Sequence, residues 1–293
     1  MILNDNNNEV KFPSCATRKH YRVALSIAGS DSSGGAGIQA DIKTFSSLGI
    51  YGASVVTAIT AQNTLGVHSV FPLPCDVVYD QIMAVIEDLH PSVVKIGMLA
   101  NVDIVRAVAE ALSSYDVPIV LDPVVVSTSG HRLLSVEALD EMKRLLLPMA
   151  SVVTPNIPEM EALTAMPLAT DLEKLEAARY LMSMSARAVL LKGGHEPGAV
   201  KRDILYQLTE GGITQEHISM PTVPTRNTHG TGCTLSSAIA AYMAVGCGLS
   251  EAVRQAKGYV SKALAAGADV VLGEGHGPVN HLFNPEKMRV YEK

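Results

Sequence analysis

The chain has no tryptophan, and only four phenylalanines and nine tyrosines among its 293 residues. A core in so long a chain must therefore be packed with small aliphatics. Basic clusters are also missing. Against 29 Asp and Glu there are 23 Lys and Arg, a net charge of −6. A nucleic-acid surface needs clustered Lys and Arg to meet phosphates, so that class of partner is excluded. The four cysteines, Cys15, Cys75, Cys233 and Cys247, include no CxxC pair and no histidine at zinc spacing. A zinc site is thus not indicated, and a reduced cytoplasmic protein is the natural expectation. No apolar run is long and uninterrupted enough for a membrane span; Cys233 to Val245 reads as buried-helix material. The opening MILNDNNNEVKFPSCATRKH is polar and lacks a secretory apolar run. Residues 1–21 are expected to be a loose tail, and 22–293 one domain.

What is present is a large apolar fraction, 47%, with only 18% charged residues. Strand-like and helix-like patterns alternate along the chain. RVALSIAG, VVKIG, PIVLD, SVVTPN and AVLLKGG are near-continuous apolar runs of strand length. Such runs arise where helices cover both faces of a parallel sheet. VDIVRAVAEALSSY places Val102, Val105, Val108 and Leu112 on one helical face. RDILYQLTEG and ITQEHISM read as a more polar hairpin around Gly211 and Gly212, and two helices, 230–247 and 249–266, close the body. The fold expected is α/β with a mostly parallel central sheet.

In such sheets ligands gather beyond the carboxyl ends of the strands. The residues there are Gly29-Ser30-Asp31, Gly97-Met98, Asp122-Pro123, Thr154-Pro155-Asn156 and Lys192-Gly193-Gly194. AGSDSSGGAGIQADIKTF carries a glycine cluster where a strand passes into a helix, without the Walker signature and without a clean dinucleotide fingerprint. NTHGTGCTLSS opens a helix with Gly-Thr-Gly, exposing backbone N–H groups and the positive end of the helix dipole to an anion.

These stretches, together with AQNT, KIGM, TPNIPE, LLKGGH and the closing GHGPV, resemble the hydroxymethylpyrimidine kinase/phosphomethylpyrimidine kinase family of the ribokinase superfamily. The resemblance runs in order from about Arg22 to Phe283. It implies a three-layer α/β/α fold with a small lid, commonly a homodimer. It also implies ATP-dependent phosphorylation of a 4-amino-5-hydroxymethyl-2-methylpyrimidine, then of its monophosphate, in thiamine biosynthesis. ATP and Mg2+ are the implied cofactors. The only other partner expected is the small-molecule substrate; neither nucleic acid nor membrane is.

The resemblance assigns Gly230, Thr231, Gly232 and Cys233 to an anion hole around the phosphoryl group in transit. Lys192, Asn156 and Thr228 fall at the ATP phosphates, unless Lys192 is simply a solvated surface lysine. Asp122 and Glu159 fall in the magnesium neighbourhood, acting through water; a helix-capping role for Asp122 and plain first-turn charge for Glu159 stay open. Gln62 and Asp41 match the readers of the aminopyrimidine edge, Gly29 lets the ring approach the backbone, and Met98 and Val125 supply apolar walls. Sugar kinases of the superfamily carry an aspartate where this chain has Cys233. At a helix N-terminus its thiol is expected to titrate low enough to act as a base. A pyridoxal kinase is the nearest alternative. Some bacterial ones use a cysteine in the lid, where DPVVVSTSGHRLL has Ser127 and Thr128. A pyrimidine-binding protein without catalysis is the other alternative.

Overall fold

The computed structural model describes residues 18–125, 130, 133–194 and 198–292. The first half runs β1 (Lys19–Tyr21), β2 (Val23–Ala28), α1 (Gly37–Ser47), β3 (Tyr51–Val56), β4 (Ala58–Asn63), β5 (Gly66–Pro72), α2 (Cys75–Leu89), β6 (Val93–Ile96), α3 (Val102–Leu112) and β7 (Ile119–Leu121). It continues with α4 (Val136–Leu145), β8 (Val152–Val153), α5 (Ile157–Thr164), α6 (Asp171–Ser183) and β9 (Ala188–Leu191). The last part holds β10 (Val200–Thr209), β11 (Gly212–Pro221), α7 (Thr231–Ala244), α8 (Leu249–Ala266) and β12 (Val290–Glu292).

Eight strands form one sheet in the order β11-β10-β9-β8-β7-β6-β2-β3. Neighbours from β3 to β9 are parallel. The β10–β11 hairpin is antiparallel, as is its pairing with β9. The five apolar runs of the sequence are β2, β6, β7, β8 and β9, each buried along its whole length. Successive strand residues point to opposite faces, and the core divides accordingly. Leu25, Val94, Leu121, Val153 and Val189 pack under α2–α6. Ala24, Val93, Val120, Val152 and Leu190 pack under α1, α7 and α8. This is the expected three-layer α/β/α arrangement.

β4 and β5 form a separate antiparallel ribbon that leaves the sheet after β3. Part of the residue 1–21 tail is structured: Lys19–Tyr21 pair antiparallel with Val290–Glu292, and the Arg22 guanidinium lies 4.3 Å from the Tyr291 ring centroid. A three-residue strand with a partner some 270 residues away leaves no local pattern to read. Among the described residues, no helix is long and apolar enough to cross a membrane.

The helix starts differ in a way that matters for the site. α3, α4, α5 and α6 are capped by Asn101, Ser135, Asn156 and Thr170, whose side chains accept first-turn N–H groups. α1, α2, α7 and α8 begin at Ala36, Pro74, Gly230 and Gly248 with no side-chain cap, and of these α1 and α7 start beside the strand ends. Their first-turn N–H groups have no partner within the helix.

Candidate active site

The carboxyl ends of β2, β6, β7, β8 and β9, the starts of α1 and α7 and the β4–β5 ribbon enclose a cavity of ≈ 680 Å³. Every site residue expected from the sequence lines it except Asp41: Gly29, Gln62, Met98, Val125, Asp122, Asn156, Glu159, Lys192, Thr228, and Gly230 through Cys233.

At the centre lies a charge cluster. Lys192, just past β9, places Nζ 2.8 Å from Asp122 Oδ1 and 3.6 Å from Glu159 Oε2. Asp122, just past β7, also accepts from Thr154 Oγ1 and Ser236 Oγ, each at 3.0 Å. Burial opposes its charge, but Lys192 and Lys95 outweigh burial and hold its pKa below the usual carboxylate range. Burial likewise works against the Lys192 ammonium, yet Asp122 and Glu159 carry its pKa above the ordinary value. Lys192 is therefore a fixed cation paired in the cavity wall, and the solvated-lysine reading is set aside. Glu159 is pushed up, first by burial and also by Asp122, against the pull of Lys192. It also completes a capping box: Asn156 N–H donates to Glu159 Oε2 at 2.8 Å, and Glu159 N–H donates to Asn156 Oδ1 at 2.9 Å. The first-turn role is thus real, and Glu159 still lines the cavity.

The start of α7 faces this cluster. Gly232 comes so near that a Cβ there would stand 3.5 Å from Lys192 Nζ and 4.0 Å from Asp122 Oδ2. Gly230 has φ +76, and a Cβ there would lie 1.8 Å from the Gly35 carbonyl oxygen. The glycine cluster after β2 therefore serves close packing against the α7 turn. A donor-rich helix start beside a lysine suits an anion that is gaining or passing charge.

Two expectations need correction. Asp41 does not reach the cavity. It is fully buried, taking Lys95 Nζ at 2.9 and 3.0 Å, Ser26 Oγ at 2.6 Å and Ser237 Oγ at 2.6 Å. With both oxygens filled it binds α1 and α7 to the sheet and has no lone pair turned to a ligand. The Cys233 thiol is the second. Burial pushes its pKa up to about 11, and although Lys95 and the Gly37 N–H pull it down, Asp41 and Asp122 add to the rise. The helix terminus does not ionise it, so Cys233 rests as a neutral thiol.

Gln62 from β4, Met98 after β6, Gly29 and Val125, the residues expected to meet the acceptor, are part of the cavity lining. A Cβ on Gly29 would lie 2.9 Å from Met98 Sδ, so glycine keeps this floor open. Asp31 and His229 here, and the sealed Lys95 behind the wall, had no role assigned from the sequence. His229 Nε2 lies 2.7 Å from Asp31 Oδ2 and 3.3 Å from the Gln62 amide. Lys95 was detectable, because a lysine inside the apolar run VVKIG must find a buried partner. Asp31 and His229 stood in the quoted motifs but carry no spacing that pairs them. Toward β10 and α8 the wall is Lys201, Asp203, Met220, Val260, Leu264 and Lys257, with Lys257 Nζ 2.6 Å from Asp203 Oδ2. Ser127 and Thr128 lie outside the described residues, as does Cys15.

Two carboxylates and an asparagine beside a lysine suit a divalent cation carried in on phosphates, because magnesium keeps water and takes one or two protein carboxylates. Among the described residues, no three His, Cys, Asp or Glu side chains form a ready metal cage.

Comparison with known proteins agrees with this architecture. The family model described as phosphomethylpyrimidine kinase matches residues 31–280. A hydroxymethylpyrimidine/phosphomethylpyrimidine kinase of Rhizobium meliloti is 48% identical over 261 residues, 89% of this chain and 97% of the relative. One from Escherichia coli is 48% identical over 261 residues, covering 88% and 97% respectively. Among solved structures, Bacillus subtilis pyridoxal kinase in an ADP complex superposes with a TM-score of 0.81 at 35% identity, over 89% of this chain and 97% of that one. Phosphomethylpyrimidine kinase from Clostridium difficile 630 gives 0.72 at 42% identity, over 83% and 99%. On the strength of a model match across most of its length and relatives matched nearly end to end, the chain belongs to the phosphomethylpyrimidine kinase family.

Proposed function

We propose that the protein is an ATP-dependent kinase in thiamine biosynthesis that phosphorylates 4-amino-5-hydroxymethyl-2-methylpyrimidine and then the resulting monophosphate. The observation that carries the reading is one cavity lined together by Gln62, Gly29, Met98 and Val125, by the lysine–carboxylate cluster and by the uncapped start of α7. Phosphoryl transfer asks a protein mainly to position groups and stabilise charge.

In this reading Gln62 pairs with the amino group and adjacent ring nitrogen, using the amide's neighbouring acceptor and donor. Gly29, Met98 and Val125 hold the ring's faces and edge. Lys192 and the N–H groups of Gly232 and Cys233 meet the phosphoryl oxygens, with Gly230 and Thr231 shaping the turn. Thr228 and Asn156 flank the phosphates, and the Lys201–Lys257 side takes the rest of the nucleotide. Asp122 and Glu159 are the residues that would hold a magnesium ion, which would supply positive charge to offset that of the phosphates. Cys233, a neutral thiol at rest, can take the alcohol proton only while passing its own S–H proton on, to a phosphate oxygen of the bound nucleotide. The second acceptor, a phosphate anion, needs no base. The reading extends to residues 22–293 acting as one kinase domain in a cytoplasmic homodimer, supported by the family resemblance and by the free thiols of Cys75, Cys233 and Cys247.

An ATP-consumption assay with the aminopyrimidine alcohol, followed by product analysis for mono- and diphosphate, tests the proposal. Turnover of both acceptors is expected. Turnover of pyridoxal with none of the pyrimidine would overturn it in favour of the activity named for the Bacillus subtilis structure. Binding of the pyrimidine with no consumption of ATP would favour the non-catalytic reading.

A further inference from the structure

Three segments far apart in the chain converge on one imidazole. His229, in the turn before α7, is 7% exposed, and its backbone N–H donates to the Gly277 carbonyl at 3.1 Å. Gly35 presses on the ring so closely that a Cβ there would fall 2.5 Å from Cδ2 and 3.0 Å from Pro278 Cβ. The ring is thus held between the glycine cluster and the GHGPV segment.

What it touches fixes its proton. Asp31 Oδ1 accepts from Ser33 N–H at 2.9 Å and Ser33 Oγ at 2.7 Å; Oδ2 accepts from Gly35 N–H at 3.1 Å and Ala36 N–H at 2.8 Å. A carboxylate so surrounded by donors stays ionised and can only accept. At 2.7 Å, His229 must therefore donate to it from Nε2. A nitrogen that carries its proton cannot accept from an amide, so the end of the Gln62 amide 3.3 Å away must be the carbonyl oxygen. The other end gives a separate reason. Thr60 Oγ1 donates its only proton to the Ser30 carbonyl at 2.8 Å, so it can only accept from Gln62 at 3.4 Å. Donor bookkeeping is what distinguishes the two ends of an amide. Both constraints put Oε1 toward His229 and Nε2 toward Thr60, the reverse of the placement with Nε2 beside the imidazole.

We propose that His229, held by Asp31, is a positioning residue that locks the Gln62 amide in this one orientation and so makes the acceptor subsite select an amino- over an oxo-pyrimidine edge. The inference rests on the pyrimidine-kinase reading for its substrate. In the locked state a free lone pair on Oε1 accepts from the exocyclic amine, and the second Nε2 proton goes to the ring nitrogen. A 4-oxo ring presents a carbonyl and an N–H in the opposite order, and meets acceptor with acceptor and donor with donor.

The test compares kcat/KM for the 4-amino and 4-oxo forms of 5-hydroxymethyl-2-methylpyrimidine in wild type, His229→Leu and His229→Gln. Wild type is expected to prefer the amino form by about 100-fold or more, since mismatched buried polar groups discriminate strongly. His229→Leu should shrink that preference at least about fivefold by freeing the amide to turn. His229→Gln, which can still give an N–H to Asp31, should keep most of it. Equal loss on both substrates in His229→Leu, or a His229→Gln ratio matching His229→Leu, would overturn the lock. Imidazole 15N NMR on the wild-type chain decides independently of substrate and of how the variants fold. A protonated Nε2 is expected, and an Nδ1–H tautomer with bare Nε2 overturns the proposal. If wild type phosphorylates neither pyrimidine, the functional reading falls while the tautomer measurement still judges the lock.

Discussion

Lys95 and Lys192 are both lysines set against an aspartate on the same sheet, one within β6 and the other just past β9. Lys95 and Asp41 are sealed: both side chains are 0% exposed, and two serines complete the shell. Lys192 keeps 12% of its side chain open and shares itself between Asp122 and Glu159. The sealed pair holds helices to strands, whereas the open one presents charge to a cavity. Residue type and pairing are nearly the same in the two, so access and unspent hydrogen-bonding capacity are what separate a structural ion pair from a working one. Cys233 feels both: burial raises its pKa, Asp41 and Asp122 add to the rise, and Lys95 works against it.

If the comparison is right, breaking each pair has a different signature. Asp41→Ala strands the Lys95 ammonium in the core and should cost ~3–5 kcal/mol of stability in denaturant unfolding, while the double variant Lys95→Met/Asp41→Leu regains most of that. A single variant as stable as wild type would show that the sealed pair is not structural glue. Lys192→Met should instead lower kcat by about 10²–10³-fold, the usual effect of removing one preorganised donor to developing charge, with a smaller loss of stability than Asp41→Ala. A KM-only effect would move Lys192 out of the transfer step.

Between the pairs, Cys233→Asp adds a third carboxylate near Asp41 and Asp122. It should depress phosphorylation of the monophosphate at least about tenfold more than that of the alcohol, because like charges repel in proportion to proximity. Cys233→Ala should weigh more on the alcohol step, which needs a proton taken away. The same thiol should react slowly with iodoacetamide at pH 7–8 and gain rate up to about pH 11. A plateau by pH 8 would mean that the helix terminus prevails over burial. The smallest effect is expected from Glu159→Gln, which keeps the cap acceptor and removes a charge. The magnesium concentration for half-maximal rate should rise about two- to fivefold with acceptor KM unchanged. An unmoved magnesium titration removes Glu159 from that role.

The layers of the fold were legible because both are local signals: apolar runs of strand length, and helical spacing such as Val105 to Leu112. The cavity wall was legible because parallel strands end on one side, which gathers Gly29, Asp122, Asn156 and Lys192 wherever they fall in sequence. What failed was side-chain direction. Asp41 stands on α1 next to cavity-lining segments, yet its oxygens turn inward to Lys95, and no spacing announces that. The Cys233 thiol followed a sound local rule that long-range burial and two distant carboxylates overrode. The Asp31–His229 contact joins residues 198 positions apart, so only the folded chain could show it.

The contact of Gly230 with the Gly35 carbonyl has a consequence for how such a cavity can change. Two backbones meeting with no side chain between them act as a hard stop, setting the width between the α1 and α7 starts independently of whatever lines the space. Substitutions at Gln62, Met98 or Val125 can then retune the acceptor without loosening the phosphate end. A library aimed at new acceptors gains by varying those three positions while leaving residues 35 and 230 as glycine. A side chain at residue 230 wedges the two loops apart and the loss falls on every substrate alike, whereas one at residue 35 meets the His229 ring first.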